Sequence, residues 1–351
     1  MTLTRRATLT ALPLLTLGHK AWAAPEAARP RPLIIAHRGA SGERPEHTLM
    51  AYRLAIAEGA DFIEPDLVMT KDGVLVVRHE NEIGGTTDVA AHPEFAARKT
   101  IKTVDGQAVT GWFVEDFTLV ELKTLRARER LPQLRAGSAA FDGREAIPTY
   151  QEVVDLAKSE STRLGRVIGT YPEMKHPTFL NSVGLDIATA LLVALRANGL
   201  DAKDAPVFVQ CFEPGSLKAF RPRSKARLIQ LISPNKEGLA IATPAGLKAV
   251  SAYADGLGAE KTMVIPESDT GLGAATSLVR DAHAVGLAVH PWTVRAENYF
   301  LPKPLRVGTT PGDHGHVEAV FDALYATGID GLFSDFPALN AAARDRAMRA
   351  A

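Results

Sequence analysis

Two acidic residues, two positions apart inside one short apolar run, are the first chemical signal in this chain. Glu64 and Asp66 lie in "ADFIEPDLVMT", and on an extended strand that spacing puts both side chains on one face. Glu173 and Lys175, in "YPEMKH", repeat the spacing at the end of a later apolar run. Three carboxylates brought together repel one another unless a cation sits among them. An all-oxygen donor set favours a hard ion, Ca²⁺ or Mg²⁺, over zinc. The plainer reading of any one acidic pair is a solvated strand face. The apolar flanks weaken that reading here, because an unpaired charge buried among them is costly. Pro65, between the two acids, is unusual inside a sheet and predicts that the strand leaves the sheet there.

His37 and His79 each follow an apolar run, "LIIA" and "VLVV". A lone histidine is more often a structural hydrogen-bonder than a catalyst. Two of them at strand ends, beside a carboxylate cluster, form a better acid–base pair, since imidazole titrates near neutrality. Arg38 and Lys175 add fixed positive charge suited to phosphate oxygens, arginine through two parallel bonds. For each, the alternative is a salt bridge to a neighbouring carboxylate. The whole set fits in-line attack at phosphorus: a cation neutralises charge on the non-bridging oxygens, one histidine takes a proton and the other gives one. No GxSxG elbow occurs. Cys211, the one cysteine, sits in "VFVQCF" and reads as a buried, inert thiol.

Such groups need strand ends gathered at one mouth. Strand-like runs fall at Leu33–Ala36, Asp61–Leu67, Val74–Val77, Arg166–Tyr171, Val207–Phe212, Arg227–Ile232, Ala254–Leu257, Leu287–His290 and Gly331–Ser334. Helical spacing lies between most of them. Thr48 can cap a helix that Gly59 stops, and Thr149-x-x-Glu152 is a capping box. Repeated strand–helix units predict a parallel sheet covered by helices. The Val74–Val77 run follows its predecessor too closely for a parallel crossover. With Asp72-Gly73 as a two-residue hairpin loop, it runs antiparallel and leaves eight strands, the number of an α/β barrel. In that register Lys71 pairs with Val74, and Asp66 faces His79 on the same side. A doubly wound sheet is the alternative fold, but no GxGxxG follows the first strand. Residues from about 82 to 147 are polar and without a clear period, and read as an insertion or lid on the barrel.

The 351 residues carry no formal net charge and no basic block interleaved with aromatics, so nothing points to nucleic acid. Residues 1–23 have the layout of a signal peptide: Arg5-Arg6, an apolar stretch too short to span a bilayer, and Ala21-Trp22-Ala23. The expectation is a periplasmic or secreted protein cleaved near Ala23. The paired arginines are consistent with twin-arginine export, and an ordinary secretory signal is the alternative. Residues 30–345 then form a single barrel domain with the insertion, without a stable membrane anchor.

The blocks "AHRGASGERPEHT", "ADFIEPDLVMTKDGVLVVRHE", "YPEMK", "VFVQCF", "YADGLG", "HPWTVR" and "GLFSDFP" resemble, in order, the glycerophosphodiester phosphodiesterase family, and in particular its secreted bacterial branch. The resemblance runs from about Leu33 to Leu339. It implies a TIM-type barrel of the phosphoinositide-phospholipase-like kind that hydrolyses small glycerophosphodiesters, such as glycerophosphocholine and glycerophosphoethanolamine, to glycerol 3-phosphate and an alcohol. It implies one divalent cation, Ca²⁺ or Mg²⁺, at Glu64, Asp66 and Glu173, with His37 and His79 as the catalytic histidines. A hydroxyl of the substrate's own glycerol attacks first in similar phospholipases, giving a cyclic phosphate that water opens. Glu80 stands where the family usually has aspartate, a departure that bears on how His79 is oriented. The alternatives are a phospholipase D-like enzyme acting on lysophospholipids or sphingomyelin, and a periplasmic phosphate-ester binding protein. The first would expose aromatics at its mouth, and Trp112, Phe113 and Phe117 fit a small lid core better. The second has no use for two histidines placed for proton transfer.

Overall fold

The computed structural model describes residues 31–350; the signal-peptide expectation for residues 1–23 falls outside them. Fifteen strands follow in chain order: β1 (Leu33–His37), β2 (Phe62–Glu64), β3 (Asp66–Met69), β4 (Leu75–Val77), β5 (Thr100–Val104), β6 (Gln107–Gly111), β7 (Gly169–Thr170), β8 (Glu173–Met174), β9 (Phe208–Cys211), β10 (Arg227–Ile232), β11 (Gly256–Ala259), β12 (Glu267–Ser268), β13 (Gly271–Leu272), β14 (Ala288–Val289) and β15 (Gly331–Ser334). Eight positions line a barrel: β1, β2/β3, β7/β8, β9, β10, β11, β14 and β15. Their ladders are parallel. The ring closes where Phe333 N–H donates to Pro291 O (3.0 Å) and Val294 N–H to Phe333 O (3.0 Å).

Two barrel strands are each broken by a proline. Pro65 separates β2 from β3, and Pro172 separates β7 from β8. Proline cannot donate to a ladder, but its carbonyl still accepts. Pro65 O takes Glu173 N–H at 3.0 Å, and Pro172 O takes Gln210 N–H at 2.9 Å. The backbone bends at each proline without leaving the barrel, which corrects the expectation that the strand departs the sheet at Pro65.

The helical punctuation follows the sequence. Thr48 caps Leu49–Ala57 by accepting from Ala51 N–H, and Thr149 with Glu152 forms a reciprocal capping box on Tyr150–Leu164. These and the later helices cover the outside of the strands. Residues 82 to 147 hold the β5–β6 hairpin and the short helices Leu119–Leu122 and Ala136–Ala139. Ile83, Val89, Phe95, Val114, Phe117 and Leu122 bury a small core of their own against Val68 and Val76. Phe113 and Phe117 are buried, and the half-buried Trp112 donates its indole N–H to Phe95 O at 2.8 Å. Phe113 and Phe117 therefore present no apolar surface. Among the described residues, no helix is long and apolar enough to cross a membrane.

The β3–β4 hairpin has a different register from the one read off the sequence. Thr70 N–H donates to Val74 O (3.0 Å), so the loop has three residues, Lys71-Asp72-Gly73, with Gly73 at φ +80°. A turn followed by a left-handed glycine is the common three-residue hairpin. Here Thr70 Oγ1 stabilises it by accepting from Val74 N–H and donating to Asp72 Oδ1. Val68 consequently pairs with Val76 rather than Val77, and Asp66 O accepts from Arg78 N–H rather than facing His79. The Asp-Gly signal was real, but one more residue belongs to the loop, and a slip of one reverses every side chain.

Inside the barrel, side chains stack in layers, as the period of two along each strand requires. Ile35, Phe62, Tyr171, Phe208, Ile229 and Phe333 form an apolar plug. Two residues further along the same strands come His37, Glu64, Glu173, Gln210 and Asp335, all buried. The plug is the floor, and this polar layer is the site it supports.

Candidate active site

Ladder register sets the polar layer side by side. His37 pairs with Glu64, Asp66 with Glu173, and Glu173 with Gln210. One carboxylate oxygen from each of Glu64, Asp66 and Glu173 lies within 4.8 Å of the others, and all three residues are buried. Glu64 Oε2 accepts from Arg38 N–H (2.8 Å) and Oε1 from the Gln210 amide (2.9 Å). Asp66 Oδ2 meets His47 Nε2 at 2.9 Å and Arg38 Nε at 3.3 Å. Glu173 Oε1 lies 3.1 Å from Lys175 Nζ.

The electrostatics of this cluster are unbalanced. Burial, then repulsion from Asp66 and Glu173, pushes the Glu64 carboxyl well above its ordinary range. Burial likewise raises Glu173 to about 8, against the pull of Lys175. Burial also opposes ionisation of Asp66, but Lys175 and the His47 hydrogen bond overcome it and hold that carboxyl well below its ordinary value. Asp66 Oδ1 is buried with no hydrogen-bond partner. A buried acceptor without a partner costs about 1–3 kcal/mol, and a divalent cation bound by all-oxygen ligands would satisfy it. The triad fits such an ion.

The two histidines flank this cluster. His37 Nδ1 lies 2.6 Å from Asp335 Oδ1. Asp335 Oδ2 in turn accepts from Arg135 Nη2 (2.5 Å) and Arg295 Nε (3.0 Å). Burial, then Arg38, lowers His37 to about 4, so its imidazole is neutral at pH 7. With Nδ1–H donated to Asp335, Nε2 carries the lone pair. His79 lies past the end of β4, where bends at residues 79 and 80 break the strand alternation. It is close enough for Arg38, Lys175 and Asp66 to act on it, and burial with the two cations lowers it to about 3. Its Nδ1 is 2.7 Å from Glu80 Oε1, at ion-pair distance but without hydrogen-bond alignment. His79 thus reaches the cluster by the bend, although the register that was expected to bring it there is wrong.

Arg38, at φ +61°, extends its guanidinium to Glu46 Oε2 (3.0 Å) as well as to Asp66. Lys175 stays protonated beside Glu173 and Asp66. Both cations therefore have carboxylate partners and also border the triad. Sequence reasoning missed Glu46, His47, Gln210 and Asp335. Gln210 and Asp335 had a readable signal: each stands two residues after a plug aromatic, in "VFVQCF" and "GLFSDFP". Cys211 is buried, and burial pushes its thiol up, out of reach of nucleophilic chemistry. A cavity of about 530 Å³ opens beside the layer, lined by Gly42, Arg44, Arg135, Glu297 and Phe336 among others. It contains none of the triad, so the chemistry is placed by the converging charges rather than by this cavity.

The sequence profile of the Glycerophosphoryl diester phosphodiesterase family matches residues 37–339. A glycerophosphodiester phosphodiesterase of Arabidopsis thaliana is 37% identical over 326 residues, covering 87% of this chain and 84% of its own length. One from Haemophilus influenzae is 32% identical, covering 87% of each chain. Among solved structures, a protein from Silicibacter pomeroyi described as a glycerophosphoryl diester phosphodiesterase superposes with TM-score 0.67 at 21% identity, over 91% of this chain and 95% of that one. A phosphodiesterase from Oleispira antarctica, in complex with its product sn-glycerol-3-phosphate, superposes with TM-score 0.60 at 22% identity, over 90% and 97%. At these identities the structural matches speak for the barrel fold, while the profile and the curated relatives speak for the family. The chain belongs to the glycerophosphoryl diester phosphodiesterase family, and is a phosphoric diester hydrolase built on a TIM-type barrel.

Proposed function

We propose that this enzyme hydrolyses small glycerophosphodiesters to glycerol 3-phosphate and an alcohol, using one divalent cation at Glu64, Asp66 and Glu173 and the histidine pair His37 and His79. The observation that carries this reading is the polar layer itself. Three buried carboxylates, one with an unpartnered oxygen, lie beside His37, which pairs with Glu64 in the ladder, and near His79 past the end of β4. Product binding by the Oleispira antarctica relative is consistent with it. A bound cation would supply charge neutralisation at the phosphoryl oxygens. Ca²⁺ is the first choice, because three carboxylates with open positions suit its flexible coordination, and Mg²⁺ the second.

The chain's own residues do the rest. Arg38 and Lys175 border the same space and would hold the remaining phosphate oxygens. His37, with Nδ1 anchored on Asp335, presents a neutral Nε2 to a hydroxyl proton. His79, in contact with Glu80, exchanges the second proton. One histidine relieves the attacking oxygen and the other protonates the leaving alkoxide. The buried surroundings keep both neutral, so the proton donor must be charged when the substrate's own negative charge enters. An N-terminal export signal, cleaved near Ala23, would place this reaction in the periplasm or outside the cell.

The test is product identity. Purified enzyme with added Ca²⁺ or Mg²⁺ should release glycerol 3-phosphate stoichiometrically with choline from glycerophosphocholine. Release of phosphocholine, or binding without turnover, would refute it.

A further inference from the structure

We propose that the β5–β6 hairpin of the insertion is a working part of the site, and that Asp105 at its tip is a positioning residue for His79, acting through His176 and Glu80. This rests on the phosphodiesterase reading above.

Four side chains from three separate segments form one chain of contacts. Asp105 Oδ2 lies 2.7 Å from His176 Nδ1. His176 Nε2 lies 3.3 Å from Glu80 Oε2, and Glu80 Oε1 lies 2.7 Å from His79 Nδ1. Both ring nitrogens of His176 face carboxylates, which accept and cannot donate when ionised. Making both bonds therefore requires N–H on each nitrogen, an imidazolium held between two carboxylates. That cation holds Glu80, whose Oε1 lies against His79 Nδ1 at 2.7 Å and so limits where the imidazole can sit. Without it, Glu80 is a half-exposed side chain with many rotamers and a weaker hold on the imidazole.

The backbone at both contact points is committed to this geometry. Asp105 and Gly106 have φ +48° and +78° as the two-residue loop of a hairpin whose last pair is Val104–Gln107. Both central residues at positive φ make the tight turn that Asp-Gly favours. His176 has φ +47°, uncommon for a non-glycine residue. The hairpin body has little else to do. Ile101 on β5 is 67% exposed, and Lys102 moors the base to Glu115 and Asp116. A ribbon that is mostly exposed, moored at its base and touching the barrel mouth at its tip is placed to act on the mouth.

The perturbations leave the turn intact. Glycine accepts the positive φ of position 105, so Asp105→Gly removes only the carboxylate. Asp105→Asn keeps an acceptor in a residue that tolerates the same conformation. Steady-state kinetics on glycerophosphocholine, with cation-loaded enzyme, read the effect. Asp105→Gly should lower kcat about two- to fivefold, the scale of a partly exposed ion pair, with KM within about twofold. Asp105→Asn should recover part of the loss, and His176→Asn should match Asp105→Gly. In a His79→Ala background, Asp105→Gly should cost nothing further, because the effect passes through His79. Wild-type kcat in Asp105→Gly, or the same loss with and without His79, overturns the proposal. Absence of turnover in the unmodified enzyme would instead overturn the phosphodiesterase reading, and this proposal with it.

Discussion

Asp335→Asn isolates the anchoring of His37 from everything else at the site. The carboxylate holds His37 Nδ1 at 2.6 Å and is itself held by Arg135 and Arg295. It has no hydrogen bond to Glu64, Asp66 or Glu173, the carboxylates proposed to hold the cation. The substitution keeps shape and removes one charge. The Asn amide can now donate to Nδ1, which moves the ring proton to Nε2 and leaves no lone pair facing the substrate. A positioned general acid–base group contributes about 10²–10⁴-fold, or about 3–5 kcal/mol of barrier. Asp335→Asn should therefore lower kcat by a factor approaching that of His37→Ala, with KM nearly unchanged. It should also cost stability, because the buried Arg135 and the part-exposed Arg295 lose the negative charge they share; breaking a buried pair costs about 3–5 kcal/mol, and the Glu297 carboxylate that Arg135 keeps reduces that. The kinetics must be run well below the variant's Tm, with folding checked by circular dichroism and cation binding by calorimetry. A folded Asp335→Asn enzyme with wild-type kcat would refute the role given to His37. So would a loss traced wholly to weaker cation binding.

Other outcomes follow from the same geometry. Glu64→Gln and Asp66→Asn should abolish rescue of the stripped enzyme by Ca²⁺ or Mg²⁺, measured as turnover against cation concentration; Glu64→Gln should raise apo stability by relieving carboxylate repulsion, whereas Asp66→Asn should lower it, because Lys175 and His47 lose their charged partner. His290 hydrogen-bonds the Tyr171 hydroxyl, and burial lowers it from 6.5 to about 4. The unfolded chain then binds more protons between those values, so the contribution of His290 to stability rises with pH from about 4 to about 6.5 and levels off above. Urea titrations should show that slope, worth up to about 3 kcal/mol, and His290→Gln should flatten part of it. A Cβ on Gly42 would meet the Phe336 ring at 2.3 Å, so Gly42→Ala should destabilise the fold by about 1–3 kcal/mol in thermal melts.

The sequence was most legible where a period of two met chemistry. The spacings Glu64–Asp66 and Glu173–Lys175 placed their side chains on one face without knowledge of the fold, and the strand–helix alternation indicated the barrel. His37 was visible as the polar end of an apolar run. What could not be read was pairing across distance. Gln210 and Asp335 look ordinary until ladder register sets them beside Glu173 and behind His37. The hairpin register was misread because Asp72-Gly73 serves a two-residue or a three-residue loop equally well, and the Thr70 side chain decides between them. The turn Asp105-Gly106 carries the same dipeptide signal and went unread, because the insertion around it shows no hydrophobic period.

The most direct measurement joins cation binding to turnover. Enzyme stripped with chelator is titrated calorimetrically with Ca²⁺ and, separately, with Mg²⁺, while glycerol 3-phosphate release from glycerophosphocholine is followed at each cation concentration. The expected result is one site per chain, activity that rises in proportion to its occupancy, and loss of both in Glu64→Gln. Full turnover by the stripped enzyme in excess chelator, or cation binding that survives Glu64→Gln with activity intact, would contradict a metal-centred site at Glu64, Asp66 and Glu173.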